Sequence, residues 1–282
     1  MNTFMQQLEA RKMLSERADY IAFTKYQKAT WETLVCFDEL VRKYDVPYQL
    51  AYGSLLGAIR DKGQIPWDYD IDVFVPYSYR EKLVQILEKY LPDKFYYCSV
   101  ENKSNYASHI IRIAPVEYDL AYLHVDIFFL IGAPANEVER KAYAQEIKKL
   151  YMARYDKLLT PIKTGKGHPR TTFKLLLRKI RARKVDLSEE ARAFDTLCMK
   201  YPIGTTGFCI TADRFADWYD FSDSMLETAD CEIDGHTFSI PQNYDNVLRM
   251  VYGEYQKTPK FEDCVKEFET HFRNIEKYGM RK

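Results

Sequence analysis

The chain has 282 residues, 46% of them hydrophobic and 29% charged, and its 41 basic side chains balance 41 acidic ones. That length and mixture suit a soluble globular protein with a sizeable core, and zero net charge argues against a bulk electrostatic role on nucleic acid. Six scattered cysteines without a C-x-x-C pair favour buried reduced thiols over a disulfide or zinc framework, while mixed charges over 1–20 and the lack of an apolar run of about 18 residues point to a cytoplasmic protein.

In chain order, residues 26–44 predict an amphipathic helix with Trp31, Leu34, Val35, Leu40, Val41 and Tyr44 on its apolar face. "YQLAYG" (48–53) predicts a strand entering a Gly-Ser turn, and "SLLGAIR" (54–60) a helical turn closed by "DKG". "GQIPWDYDIDVFVPY" (63–77) predicts a strand that carries acids. Ser78 with Glu81 reads as a capping box opening a helix on Leu83, Ile86, Leu87 and Tyr90. Further strands are expected within 95–100, 109–113 and 122–130, and Asn136 with Glu139 should cap a helix to about Tyr155. A Gly/Pro/Lys loop fills 161–170, Asp186 with Glu189 starts another helix, and Asp234-Gly235 suits the tight turn of a hairpin over 231–241. A short helix at 244–252 should stop at Gly253, before a last helix over 261–278. One α+β domain over 1–282 is expected, with a core at 26–134, a basic helical insert at about 160–200 and a C-terminal element at 231–282.

The acids stand out. Strand side chains alternate faces, so Asp68, Asp70 and Asp72 would share one face while Tyr69, Ile71 and Val73 enter the core. Carboxylates about 7 Å apart at an effective dielectric near 20 repel by about 2 kcal/mol per ionised pair. A divalent cation converts that penalty into binding, and hard oxygen ligands select Mg²⁺ or Mn²⁺. The plainer alternative is a solvated edge strand. Three acids on one face, joined by a lone Asp126 in the apolar "HVDIFFL", favour the metal site. Strand-borne carboxylates with Mg²⁺ typically serve phosphoryl or nucleotidyl transfer. Gly53-Ser54 before a helical turn suits a phosphate, with Arg60 and Lys62 near enough to clamp it. The histidines show no metal-ligand spacing.

"GSLLGAIRDKGQIPWDYDIDVFV" (53–75) resembles the signature of the LicD family of phosphocholine and ribitol-phosphate transferases, and "FSIPQNYDNVLRMVYGEYQKTP" (238–259) is similar to the family's C-terminal element. The resemblance implies a nucleotidyltransferase-like mixed β-sheet flanked by helices, with a helical C-terminal part. It implies that Gly53 and Ser54 cradle a phosphate and that Asp70, Asp72 and Asp126 hold Mg²⁺ and carry the catalysis. Asp126 would ligate metal, deprotonate the acceptor hydroxyl, or do both. Asp68 and Trp67 join Arg60 and Lys62 around the substrate. Tyr48, Tyr52, Trp67 and Tyr69 are the nearby rings for a quaternary ammonium.

The implied reaction transfers phosphocholine from CDP-choline to a hydroxyl of a cell-surface glycan, lipopolysaccharide or teichoic-acid precursor, releasing CMP. The alternatives are ribitol or glycerol phosphate from another CDP-alcohol, nucleotidyl transfer to a small molecule, or an adaptor holding a structural cation. A basic amphipathic stretch at 170–184, with seven basic residues and no acid, suggests peripheral contact with the inner face of the plasma membrane and with lipid-linked acceptors. A solvated, ion-paired helix is its alternative reading.

Overall fold

A computed structural model describes residues 16–158, 178–180 and 182–281. The loop at 161–170 and most of the basic stretch at 170–184 lie outside the described residues. Two compact units emerge: Met1–Tyr97 with Arg112–Phe128 and Ser224–Lys282, and Cys98–Ile111 with Phe129–Asp223.

The first unit opens with helix α1, Ala18–Lys43, which begins eight residues before the expected start. Its buried face is Phe23, Tyr26, Gln27, Thr30, Leu34, Phe37 and Val41. Trp31, Val35, Leu40 and Tyr44 are only half-buried, because the longer helix presents the 23/26/30/34/37/41 stripe to the core. Strand β1 is only Gln49–Leu50, followed by helix α2, Tyr52–Leu56, and a π-helical turn, Gly57–Asp61. Lys62 ends that turn in the left-handed region at φ 59°. Gly57 is required there: a Cβ would stand 2.5 Å from the Gly63 carbonyl oxygen.

Strand β2 is Ile71–Pro76 and pairs antiparallel with β1, Leu50 opposite Val73. The expected capping box at Ser78 does not form. A 3₁₀ turn, Tyr77–Tyr79, leads into helix α3, Arg80–Tyr90, with Tyr79 at the N-cap, and Tyr90 is exposed. Strands β3 (Phe95–Cys98), β4 (Ile111–Pro115) and β5 (Val125–Gly132) complete the sheet order β1-β2-β5-β4-β3. Of the neighbours in that order only β2 and β5 are not consecutive in sequence, so β5 enters beside β2 by a crossover. The hairpin of β8 (Thr228–Ile233) and β9 (His236–Pro241) turns at Asp234, φ 49°, and Gly235, φ 77°, as a primed turn requires. Helix α6 (Tyr244–Tyr252) stops at Gly253, φ 64°. Helix α7 (Phe261–Tyr278) buries Cys264, Phe268 and Ile275. The hairpin packs beside β1, and α6 packs on α2.

The second unit pairs the C-terminal half of β5 with β6 (Phe208–Thr211), which pairs with β7 (Phe221–Ser222). Helices α4 (Glu137–Leu158) and α5 (Leu187–Cys198) pack together. Both caps read from the sequence form: Asn136 Oδ1 accepts from the amides of Val138 and Glu139, and Asp186 Oδ1 from those of Ser188 and Glu189. Between the helices, Glu190 accepts from buried His109 and Arg154, and the His109 ring stacks on Phe194 at 3.7 Å. The architecture is the expected α+β, nucleotidyltransferase-like class: a mixed sheet flanked by helices, with a helical C-terminal part. No described helix is long and apolar enough to cross a membrane.

Candidate active site

The acids converge, though not on one strand. β2 begins only at Ile71, so of the three expected strand-borne acids just Asp72 lies in regular sheet. Asp68 closes the preceding turn, its amide bonding back to the Ile65 carbonyl and its Oδ1 accepting from the Tyr69 amide, and Asp70 lies in the irregular segment that follows. Pro66 and that turn interrupt the ladder, so alternation holds only from Ile71 onward. Tyr69, expected in the core, is half-buried with its ring 4.7 Å from that of His271. Gln27 of α1 staples this loop, its amide donating to the carbonyls of Ile65 at 3.1 Å and Asp68 at 2.7 Å.

The Gly-Ser turn faces the acids. The Asp72 amide donates to Ser54 Oγ at 2.8 Å, and the Ala51 amide to the Asp72 carbonyl at 2.9 Å. A Cβ on Gly53 would stand 3.0 Å from Asp68 Oδ2 and 3.9 Å from Asp72 Oδ2, so glycine lets both carboxylates close on the turn. Tyr52, just before it, is left-handed at φ 40°, a conformation that costs a non-glycine residue about 1–3 kcal/mol. Its ring packs edge-on against Phe74 and Phe128, which holds the turn in place.

Asp126 lies on fully buried β5 and is only 5% exposed. Arg112 of β4 grips it with Nε 2.6 Å from Oδ1 and Nη2 3.2 Å from Oδ2. His124 Nε2 stands 3.4 Å from Asp126 Oδ1 and 3.8 Å from Asp70 Oδ2, bridging the two acids. Neither Arg112 nor His124 stands out in the sequence as functional. The only local signal is Arg112 as a charge between Ile111 and Ile113, and His124 two residues before Asp126.

Electrostatics divide the acids. Burial, then the charge of neighbouring acids, pushes the Asp70 carboxyl up to about 8 and holds Asp72 well above its ordinary range. Burial also raises Asp68, eased by its hydrogen bond with Asp70. Burial would raise Asp126 too, but His124 and Arg112 outweigh it and keep this carboxylate well below the usual range. Among the described residues Asp68 and Asp72 thus have no ion-pair partner and Asp70 shares His124, while Asp126 has Arg112 as well. Such an all-oxygen donor set fits a hard divalent cation. Among the described residues no trio of His, Cys, Asp or Glu is preset as a metal cage; both Asp126 oxygens are already taken by Arg112.

The other expected substrate groups are placed differently. Arg60 is buried in an ion pair with Asp61 at 2.8 Å and lies over the buried Trp67 ring, so its guanidinium is not brought to the acids. Lys62 is exposed at the end of the π turn. The Trp67 carbonyl contacts His271 Nδ1 at 3.0 Å.

Two matches to known proteins cover this part of the chain. The family model described as "LicD/FKTN/FKRP, nucleotidyltransferase domain" matches residues 45–167, which span the Gly-Ser turn and all four acids. The chain is 24% identical to the lipopolysaccharide cholinephosphotransferase LicD of Haemophilus influenzae over 82% of its own length and 92% of the relative's. These matches identify a LicD/FKTN/FKRP-type nucleotidyltransferase domain over residues 45–167, and over most of its length the chain is similar to a LicD protein.

Proposed function

We propose that the protein is a cholinephosphotransferase that moves phosphocholine from CDP-choline to a hydroxyl of a lipopolysaccharide-type glycan and releases CMP. The observation that carries this reading is the closure of Asp68 and Asp72 on the Gly53-Ser54 turn, with Asp70 beside them and joined through His124 to Asp126, within the segment that matches the family model.

Asp70 and Asp72 would hold a Mg²⁺ ion, with Asp126 completing the set when its guanidinium partner moves to the substrate. Bound there, the ion would offset charge on the diphosphate and on the departing CMP oxygen. The chain's own groups supply position. Ser54, which accepts from the Asp72 amide, keeps its proton to donate to a phosphate oxygen. Arg112, already set in a planar fork on Asp126, offers the same fork to the phosphate. The acceptor oxygen attacks phosphorus as the bond to the CMP oxygen breaks, and the hydroxyl proton passes to the carboxylate cluster.

The test is CMP release from CDP-choline with Mg²⁺ and a lipopolysaccharide or teichoic-acid precursor as acceptor, with CDP-ribitol and CDP-glycerol in parallel. CMP from CDP-choline alone is expected. CMP from none of the three, or pyrophosphate from a nucleoside triphosphate, would displace the proposal. Co-sedimentation with anionic liposomes checks membrane contact through 170–184: equal recovery of the intact chain and a Lys/Arg→Ser variant of 178–184 would end that idea.

A further inference from the structure

A pocket adjoins the acids, and of its lining the catalytic scheme above uses Ser54 and Asp70 and leaves the apolar wall unassigned. Its wall is apolar: Trp31 and Leu34 from α1, Ile65 from the stapled loop, Ile71 from β2 and Ile233 from the hairpin. Asp68 and Asp70 line it beside Gly53 and Ser54, and among the described residues no lysine or arginine lines it. Trp31 is held from behind by the hairpin, its ring edge-on to Phe238 at 5.1 Å and to His236 at 6.3 Å.

We propose that this pocket is the subsite for the quaternary ammonium of the transferred phosphocholine, with Trp31 as its aromatic wall and Asp68 as its counter-charge. The assignment rests on the cholinephosphotransferase reading above.

The chemistry of the wall selects the ligand. A trimethylammonium group is a cation with an apolar skin and no hydrogen-bond donor. It asks for an aromatic or aliphatic wall and a nearby negative charge. The pocket offers both. A polyol such as ribitol would instead require several polar partners, and the neutral polar side chains here are Ser54 and Gln64. Ser54 accepts from the Asp72 amide and gives its proton to the phosphate in the scheme above, and Gln64 donates to Thr30.

The rings expected from the sequence are engaged elsewhere. The Tyr48 hydroxyl donates to Asp38, Trp67 lies beneath Arg60, Tyr52 packs on Phe74 and Phe128, and Tyr69 on His271. None of the four lines the pocket. The position also suits the reaction, because Asp70 both lines the pocket and belongs to the acid cluster, so phosphate and ammonium would occupy adjoining places.

The test compares KM for CDP-choline with the inhibition constant of CMP in the intact protein and in Trp31→Phe and Trp31→Leu. Leucine keeps an apolar wall but loses the π face; phenylalanine keeps both. Trp31→Leu is expected to raise KM for CDP-choline about tenfold with the CMP constant unchanged, and Trp31→Phe to restore most of the loss. An unchanged KM, or a CMP constant that rises in parallel, would overturn the assignment, the latter marking a nucleobase pocket. A chain that turns over CDP-ribitol but not CDP-choline would overturn both readings. A chain active on CDP-choline with an indifferent Trp31 overturns the subsite alone. Should Trp31→Leu fail to fold, thermal protection of the unmodified protein decides: phosphocholine should raise its melting temperature more than ribitol phosphate at equal concentration. Equal protection would refute the subsite.

Discussion

Arg112 and Asp126 form a two-point ion pair across adjacent strands, Nε to Oδ1 at 2.6 Å and Nη2 to Oδ2 at 3.2 Å, with the carboxylate buried and the guanidinium 28% exposed. The pair stands beside three acids that lack such a partner. Replacing Arg112 by Ala leaves a buried carboxylate facing only His124, which should cost about 2 kcal/mol of stability, less than a fully buried pair because the guanidinium reaches solvent. Arg112→Lys should keep the charge and lose the planar fork. Chemical denaturation and CMP-release kinetics together check this: stability of Arg112→Lys near that of the parent, with turnover reduced about a hundredfold or more. Full activity in Arg112→Lys would rule out the fork as a phosphate clamp.

Asp72 carries like charge into a crowded buried site. Asp72→Asn removes repulsion while keeping the side chain's volume, so in chelator the variant should melt at or above the parent's temperature. Mg²⁺ should raise the melting temperature of the parent, as any ligand of the native state does, and raise that of Asp72→Asn much less. Turnover should fall at least a thousandfold, since the metal set loses a charged ligand. A protein that merely held a structural cation would behave in the opposite way, losing stability in Asp72→Asn.

Gly53 admits the Asp68 and Asp72 carboxylates to the turn. Alanine there meets Asp68 Oδ2 at 3.0 Å, a contact that a side-chain rotation can relieve. Gly53→Ala should therefore fold normally and lose about tenfold or more in turnover through displacement of Asp68. A circular dichroism melt beside a rate assay separates the two effects.

Gly57 differs in kind. Its Cβ would meet backbone, the Gly63 carbonyl oxygen at 2.5 Å and the Ile65 amide at 3.1 Å. Backbone cannot rotate away, so Gly57→Ala should destabilise by about 1–3 kcal/mol, read as a lower urea midpoint. An unchanged midpoint would mean that the loop over the π turn gives way freely.

In the second unit, Arg154 is buried between Glu190 and the carbonyls of Tyr106 and Ser104. Glu190→Ala would strand that guanidinium, with an expected loss of about 3 kcal/mol. Glu190→Gln should recover part of it by keeping an acceptor.

Much of this protein was written locally. Asn136 and Asp186 cap their helices, and Asp234-Gly235 turns its hairpin, because such motifs depend on partners two or three residues away. Gly53-Ser54 and the acids around Asp70 were legible for a similar reason: carboxylates and a glycine in an apolar run conflict with local preference, and that conflict marks a site. Tertiary structure decided the partners. Arg60, two residues from Lys62 and near the acids in sequence, turned to Asp61 and Trp67, whereas Arg112, fourteen positions from Asp126, became its mate. Gln27 reached the loop at 65–68, and Trp31, expected in the core, became the wall of a pocket. Which side chains meet across a sheet depends on strand order and on how a helix is rotated about its axis. Both are set by the burial of the whole core, and no window of neighbouring residues contains them.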